Sequence, residues 1–108
     1  MTELKEKEEI KMSMKNNARK NIFANVPADK EFWLSNGAVV KNLFGLSESL
    51  ESMDDYTFSQ HVNGEKNDFS NWIKDVIGDN DLANKLAESK SRGDHTIKIL
   101  NHFVEKLK

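Results

Sequence analysis

The sequence predicts a mainly α protein, a compact bundle of four to five short helices preceded by a small β-hairpin, with an N-terminal arm that is helical or partly disordered. Three observations predict it. Apolar residues beyond position 42 recur at helical spacing, an Asn36-Gly37 pair separates two short apolar runs, and the single proline, Pro27, closes off a charge-dense N-terminal stretch. Pro27 lacks a backbone donor and steers Val26 away from helical geometry, so a boundary is expected there. Residues 1–27 then form the charged arm, and residues 28–108 form one helical domain with its hairpin at about 32–41.

The elements follow in order. In the arm, Ile10, Met14, Ala18 and Ile22 recur every fourth residue as a thin stripe. Glu3, Glu6, Glu8 and Glu9 precede Lys11, Lys15, Arg19 and Lys20, the charge order that suits a helix dipole. Met12 and Met14 on such an arm point to docking on self or on another chain. Asn36-Gly37 suits a type I′ turn joining strands at about 32–35 and 38–41, one face of which must pack on helices. Asn42 is placed to cap a helix carrying Leu43, Leu46, Leu50 and Met53, and Asp54 or Asp55 to cap a shorter one carrying Tyr56, Phe58 and Val62. Asn63-Gly64 is expected to end that helix in left-handed geometry. Asn67 or Asp68 opens a helix with Phe69, Trp72, Ile73, Val76 and Ile77 that Gly78 stops, and Asp79 or Asn80 opens one with Leu82, Ala83 and Leu86. Asp94 is expected to cap a final helix whose Ile97, Leu100, Phe103, Val104 and Leu107 show the strongest periodicity in the chain.

Composition narrows the classes of function. Of 108 residues, sixteen are basic and eighteen acidic, a formal net charge of −2, so no global field recommends nucleic acid or a membrane. With the arm set aside, about 75 residues must supply the core, near the lower limit for an independent fold. The absence of cysteine removes disulfides, thiolate catalysis and cysteine-held metal, and it suits a reducing compartment. No run is long and apolar enough to span a membrane, and the N-terminus lacks the hydrophobic segment of a secretion signal. A cytoplasmic protein with no membrane association is expected.

The densest stretch is HVNGEKNDFSNWI, residues 61–73, where His61, Asn67, Asp68, Phe69 and Trp72 crowd together. Phe32, Gly37, Leu43, Leu46, Leu50, Phe58, His61, Asn67, Asp68, Phe69, Trp72, Ile73, Leu82 and Ala83 carry a resemblance to a small uncharacterised prokaryotic domain of unknown function, found chiefly in archaea and bacteria. It covers about residues 30–90, and its most specific part is the His-Val-Asn, Asn-Asp-Phe and Trp signature. The resemblance implies a fold unit and a cytoplasmic prokaryotic setting, and no reaction.

Three functional readings compete. A non-enzymatic protein-binding or regulatory module would use the polar cluster His61, Asn63, Lys66, Asn67 and Asp68, with Trp33 and Phe44 as exposed apolar contacts. A nucleic-acid-associated protein would use Lys11, Lys15, Arg19 and Lys20, aided by Lys85, Lys90, Arg92 and Lys98, although no recognition motif accompanies them. A metal- or His-dependent enzyme would centre on His61 with Glu65 and Asp68, but His61, His95 and His102 are scattered and no HExxH is present. The structural alternative places His61 at a helix end bonded to a neighbouring carbonyl or carboxylate, and Trp72 in the core. The binding module is preferred, with no catalytic residue, no metal and no cofactor. An unidentified protein partner is expected, and self-association is the other expected contact.

Overall fold

A computed structural model describes residues 22–107. The chain passes through a single 3-10 turn, Ala28–Lys30, into the antiparallel strands β1 (Phe32–Trp33) and β2 (Val39–Val40). Five helical elements follow: α1 (Leu43–Ser52), α2 (Asp55–His61), α3 (Asp68–Trp72, continued by a π turn over Ile73–Ile77), α4 (Asn80–Ala87) and α5 (Arg92–Leu107). The mainly helical architecture behind a small hairpin is therefore the one that the sequence predicts. Lys11, Lys15, Arg19 and Lys20, with the apolar stripe Ile10, Met14 and Ala18, lie outside the described residues.

The hairpin is shorter than expected, and its turn is of another kind. Phe32 pairs with Val40 and Trp33 with Val39. The Gly37 N–H donates to the Leu34 carbonyl at 2.9 Å and the Leu34 N–H to the Ala38 carbonyl at 2.8 Å, while only Gly37 has positive φ, at 93°. A type I′ turn would need positive φ at Asn36 as well. This loop has three residues, for which a type I turn followed by one left-handed residue fits the strand twist. Asn36 instead uses its side-chain oxygen to accept the Ala38 N–H at 2.9 Å.

Short polar side chains start each of these five helices by accepting a free N–H of the first turn. Asn42 accepts from Gly45 at 2.6 Å, Asp54 from Thr57 at 2.8 Å, Asn67 from Ser70 at 3.0 Å and Asp79 from Leu82 at 3.1 Å. The last helix differs from expectation: it starts at Arg92, and Ser91 rather than Asp94 caps it, its Oγ accepting the Asp94 N–H at 3.0 Å. Gly78 ends the α3 element in left-handed geometry, φ 84°, and its N–H reaches back five residues to the Ile73 carbonyl at 2.7 Å. Gly64 takes no such conformation; α2 ends at His61 with an extended Val62.

The core gathers Leu34 and Val40 from the hairpin region, Leu43, Leu46, Leu50 and Met53 from α1 and its end, Phe58 and Val62, Phe69, Trp72 and Ile73, then Leu82, Ala83 and Leu86, and Ile99 and Phe103. Ile22, upstream of Pro27, is buried in the same core. The segment after it is tied to the start of α1, where Asn42 Nδ2 donates to the Phe23 carbonyl at 3.0 Å and the Val26 N–H to the Lys41 carbonyl at 2.8 Å. Trp72 is buried as expected, its indole N–H donating to the Lys30 carbonyl at 2.8 Å. Tyr56, expected on the apolar face of α2, is exposed.

One departure is large. Of the face Ile97, Leu100, Phe103, Val104 and Leu107, whose periodicity predicts a place in the core, only Phe103 is buried, and the other four point to solvent. The inward face of α5 is His95, Ile99, His102 and Phe103. Two histidines can occupy it because each finds polar partners inside, as described next.

Candidate functional site

The dense stretch folds as a tight loop between α2 and α3. Val62 and Asn67 form an isolated antiparallel bridge, and the Asn63 N–H donates to the Lys66 carbonyl at 3.0 Å. Asn63 holds the loop from within, its Oδ1 accepting the Glu65 N–H at 3.0 Å and its Nδ2 donating to the Ser59 carbonyl at 3.2 Å. The Ser59 carbonyl, in the last turn of α2, is thereby used locally.

His61, the last residue of α2, is buried against the rings of Phe32 and Phe69, whose centroids lie 5.1 and 5.4 Å from its own. The Ser35 N–H donates to Nε2 at 3.0 Å. A nitrogen that accepts an N–H carries no proton, so the proton of the neutral ring sits on Nδ1 and is donated to Asp68 Oδ2 at 3.1 Å. The Lys66 ammonium reaches the same carboxylate oxygen at 3.1 Å. Both ring nitrogens are thus engaged, one with the hairpin and one with α3.

Asn67 is the hub of a second network, which periodicity alone does not reveal. Besides capping α3, its Nδ2 donates to the Leu86 carbonyl at the end of α4, at 2.8 Å, and to His95 Nε2 at 3.2 Å. His95 Nδ1 faces the Ser91 carbonyl at 3.1 Å and the Ser89 hydroxyl at 3.0 Å, which places its proton on Nδ1. Ser70 adds a buried bond, its hydroxyl donating to the Ala83 carbonyl at 2.6 Å. Asn67 and His95 together tie α3, α4 and α5 to one another.

Burial pushes the His95 imidazole below its ordinary value, while the Ser91 carbonyl and the Asp94 charge oppose the shift and Lys98 assists it. The consequence has a definite sign. The unfolded chain takes up this proton near pH 6.5, whereas the folded chain takes it up only at lower pH, so stability rises with pH across that window and is lost as pH falls below about 6.5. The melting temperature is expected to fall between pH 7 and 5.5, with a smaller slope in a His95→Gln variant. Equal slopes in the two proteins, read by circular dichroism, would exclude His95 as the source.

A further His–carboxylate pair closes the far end of α5. His102 Nε2 lies 2.6 Å from Asp79 Oδ2, and its Nδ1 is buried without a hydrogen-bond partner, 3.8 Å from Asp81. Burial opposes the ionised form of Asp79, but the bonds from the Leu82 N–H and from His102 outweigh it and hold the carboxyl below the usual range.

The outer side of the loop is open. A pocket of about 340 Å³ lies between the loop, the first turn of α3 and the end of α4, lined by Gly64, Glu65, Lys66, Asn67, Ser70, Asn71, Ala87 and Lys90. Lys90 also spans to the Asn63 carbonyl at 3.5 Å. Of the expected binding residues, His61, Asn67 and Asp68 face inward or sideways into the scaffold, while Asn63 and Lys66 are exposed. Trp33 on β1 is 65% exposed, and Phe44 on α1 lies against Phe23 with ring centroids 5.1 Å apart. Lys90 joins this site only through folding, since no pattern links it to residues 61–68, whereas Asn71 stands one turn beyond Asn67 on α3. Among the described residues no group of three or more His, Asp or Glu is placed to hold a metal ion, and no helix is long and apolar enough to cross a membrane. Compared with known proteins, the chain matches no family model, no curated protein and no solved structure.

Proposed function

We propose that the protein is a non-enzymatic protein-binding module, and that its recognition surface is the loop Asn63–Lys66 with the adjoining pocket. The observation that carries this reading is the division of labour within the polar cluster. The imidazole of His61 already has a partner on each nitrogen, so proton transfer or metal binding there would first have to break a bond that holds the hairpin or α3. Its neighbours hold the loop rigid and leave an open, polar concavity on the outside, the arrangement in which a scaffold presents a binding loop.

The charges at the pocket favour an acidic partner. Two ammonium groups, Lys66 and Lys90, line it against one acid, Glu65, and although Asp68 takes one bond of Lys66, Lys90 and the Asn71 amide can also donate, which supports a peptide segment bearing carboxylates. Display of random peptides against the full chain is expected to select acidic segments. Their affinity should fall about tenfold or more in a Lys66→Glu, Lys90→Glu double variant, the effect of reversing charges at a polar contact. The variant should keep its melting temperature, because exposed ion pairs such as Lys66–Asp68 contribute little to stability. Peptides that bind both proteins equally would overturn the reading.

A further inference from the structure

The solvent face of α5 carries a second, independent signal. Ile97, Leu100, Val104 and Leu107 are 59, 47, 56 and 45% exposed. Their spacing is i, i+3, i+7 and i+10, two consecutive heptads with a β-branched residue at each first position and leucine at each fourth. Scattered surface leucines need no explanation, but an apolar seam in register along three turns of one helix does. The seam is not the helix's contribution to its own domain, which is His95, Ile99, His102 and Phe103.

We propose that this seam is a self-association surface, on which the α5 helix of a second copy of the chain packs in parallel. The residue types fit that occupant. Among parallel pairings, β-branched side chains at the first heptad position with leucine at the fourth favour two strands, and in a pair of identical helices each residue meets its own counterpart. Flanking charges do not oppose it: in a parallel pair Thr96 faces Asn101 of the second copy, and neither carries charge. The bulk of the charged side chains of α5, Asp94, Lys98 and Glu105, lies around the helix from the seam and is engaged within the chain, Lys98 with Asp94 and Glu105 with Lys85.

Area sets the strength. The four side chains expose roughly 350 Å² of apolar surface per copy, within the range of the largest patch on an ordinary monomer, which is often functional. Two copies bury roughly twice that, below the about 1,200 Å² of a stable specific complex, so the pair is weak and reversible.

Sedimentation equilibrium of the full chain from about 5 to about 500 μM tests this, and the weight-average mass is expected to climb from the 12.4 kDa monomer towards twice that value. Val104→Glu should hold the mass at the monomer value at every concentration while leaving the melting temperature at low concentration unchanged, since the side chain is mostly exposed among the described residues. Because the chain has no cysteine, Leu107→Cys tests orientation: oxidation is expected to give a covalent dimer, as a parallel pair brings the two Cβ atoms within disulfide reach and an antiparallel pair does not. A mass that stays monomeric overturns the proposal, as does a dimer that Val104→Glu leaves intact or one that Leu107→Cys fails to cross-link. A monomer whose melting temperature falls on Val104→Glu also overturns it, by showing that the seam is covered within the same chain by residues 1–21.

Discussion

Asn67→Asp is expected to destabilise the protein by about 3 kcal/mol or more, even though aspartate is as good a helix cap as asparagine. The Oδ1 that accepts the Ser70 N–H survives the change. Nδ2 does not, and in its place an oxygen faces the Leu86 carbonyl, 2.8 Å away, and the unprotonated His95 Nε2, 3.2 Å away. Three acceptors then crowd together where two donors had satisfied a helix end and a buried ring. Asn67→Ala removes the cap and the two donors but adds no repulsion, so its loss should be smaller, about 2 kcal/mol. Urea unfolding of the three proteins gives the order. An aspartate variant milder than the alanine variant would mean that the cap dominates and that the links to α4 and α5 contribute little.

Phe69→Ala is expected to be costlier still, about 3–5 kcal/mol. Phe69 is fully buried, and its ring lies 5.1 Å from Phe32, 6.0 Å from Phe58, 5.4 Å from His61 and 6.1 Å from His95, centroid to centroid. Truncation opens a void that the hairpin, α2 and α5 all border, so no single element can move to fill it. Against a total stability of about 5–15 kcal/mol for a domain, such a loss leaves little margin. Calorimetry should show a much lowered melting temperature or no cooperative transition, whereas the exposed Tyr56→Ala in the same helical layer should shift stability by no more than about 0.5 kcal/mol. A mild effect at Phe69 would contradict the placement of the aromatic cluster at the centre of the core.

Much of this was legible from residues that act within a few positions of themselves. Asn42, Asp54, Asn67 and Asp79 accept N–H groups three residues ahead, and such caps are written in local order. The ambiguous sites were those with two local solutions. Asn36-Gly37 suits a type I′ turn and equally the three-residue loop that forms, and only the pairing of Leu34 with Ala38 decides between them. Ser91 and Asp94 could each open α5, and the bond from His95 to the Ser91 carbonyl comes with the earlier start.

What was not legible is the facing of α5, because that helix carries two stripes. One is wholly aliphatic and looks like the core; the other includes His95 and His102, which pattern reading counts as polar. Their partners, Asn67 and Asp79, lie 28 and 23 residues away in the chain, too far for periodicity to register. His95 is bonded on both ring nitrogens and His102 on Nε2 alone, its Nδ1 being left without a partner, and the aliphatic stripe is the one left in water. The same distance explains the candidate site: the loop residues and Asn71 were visible as a cluster, while Lys90 reaches the pocket only through packing.

The contrast between the two tryptophans has an optical consequence. Trp33 stands in water on the hairpin, whereas Trp72 is enclosed and its N–H is tied to the Lys30 carbonyl. The native emission is therefore a superposition of a red component, open to collisional quenchers, and a blue component shielded from them. With a single tyrosine to contribute beside them, the chain carries separate reporters for its edge and for its interior.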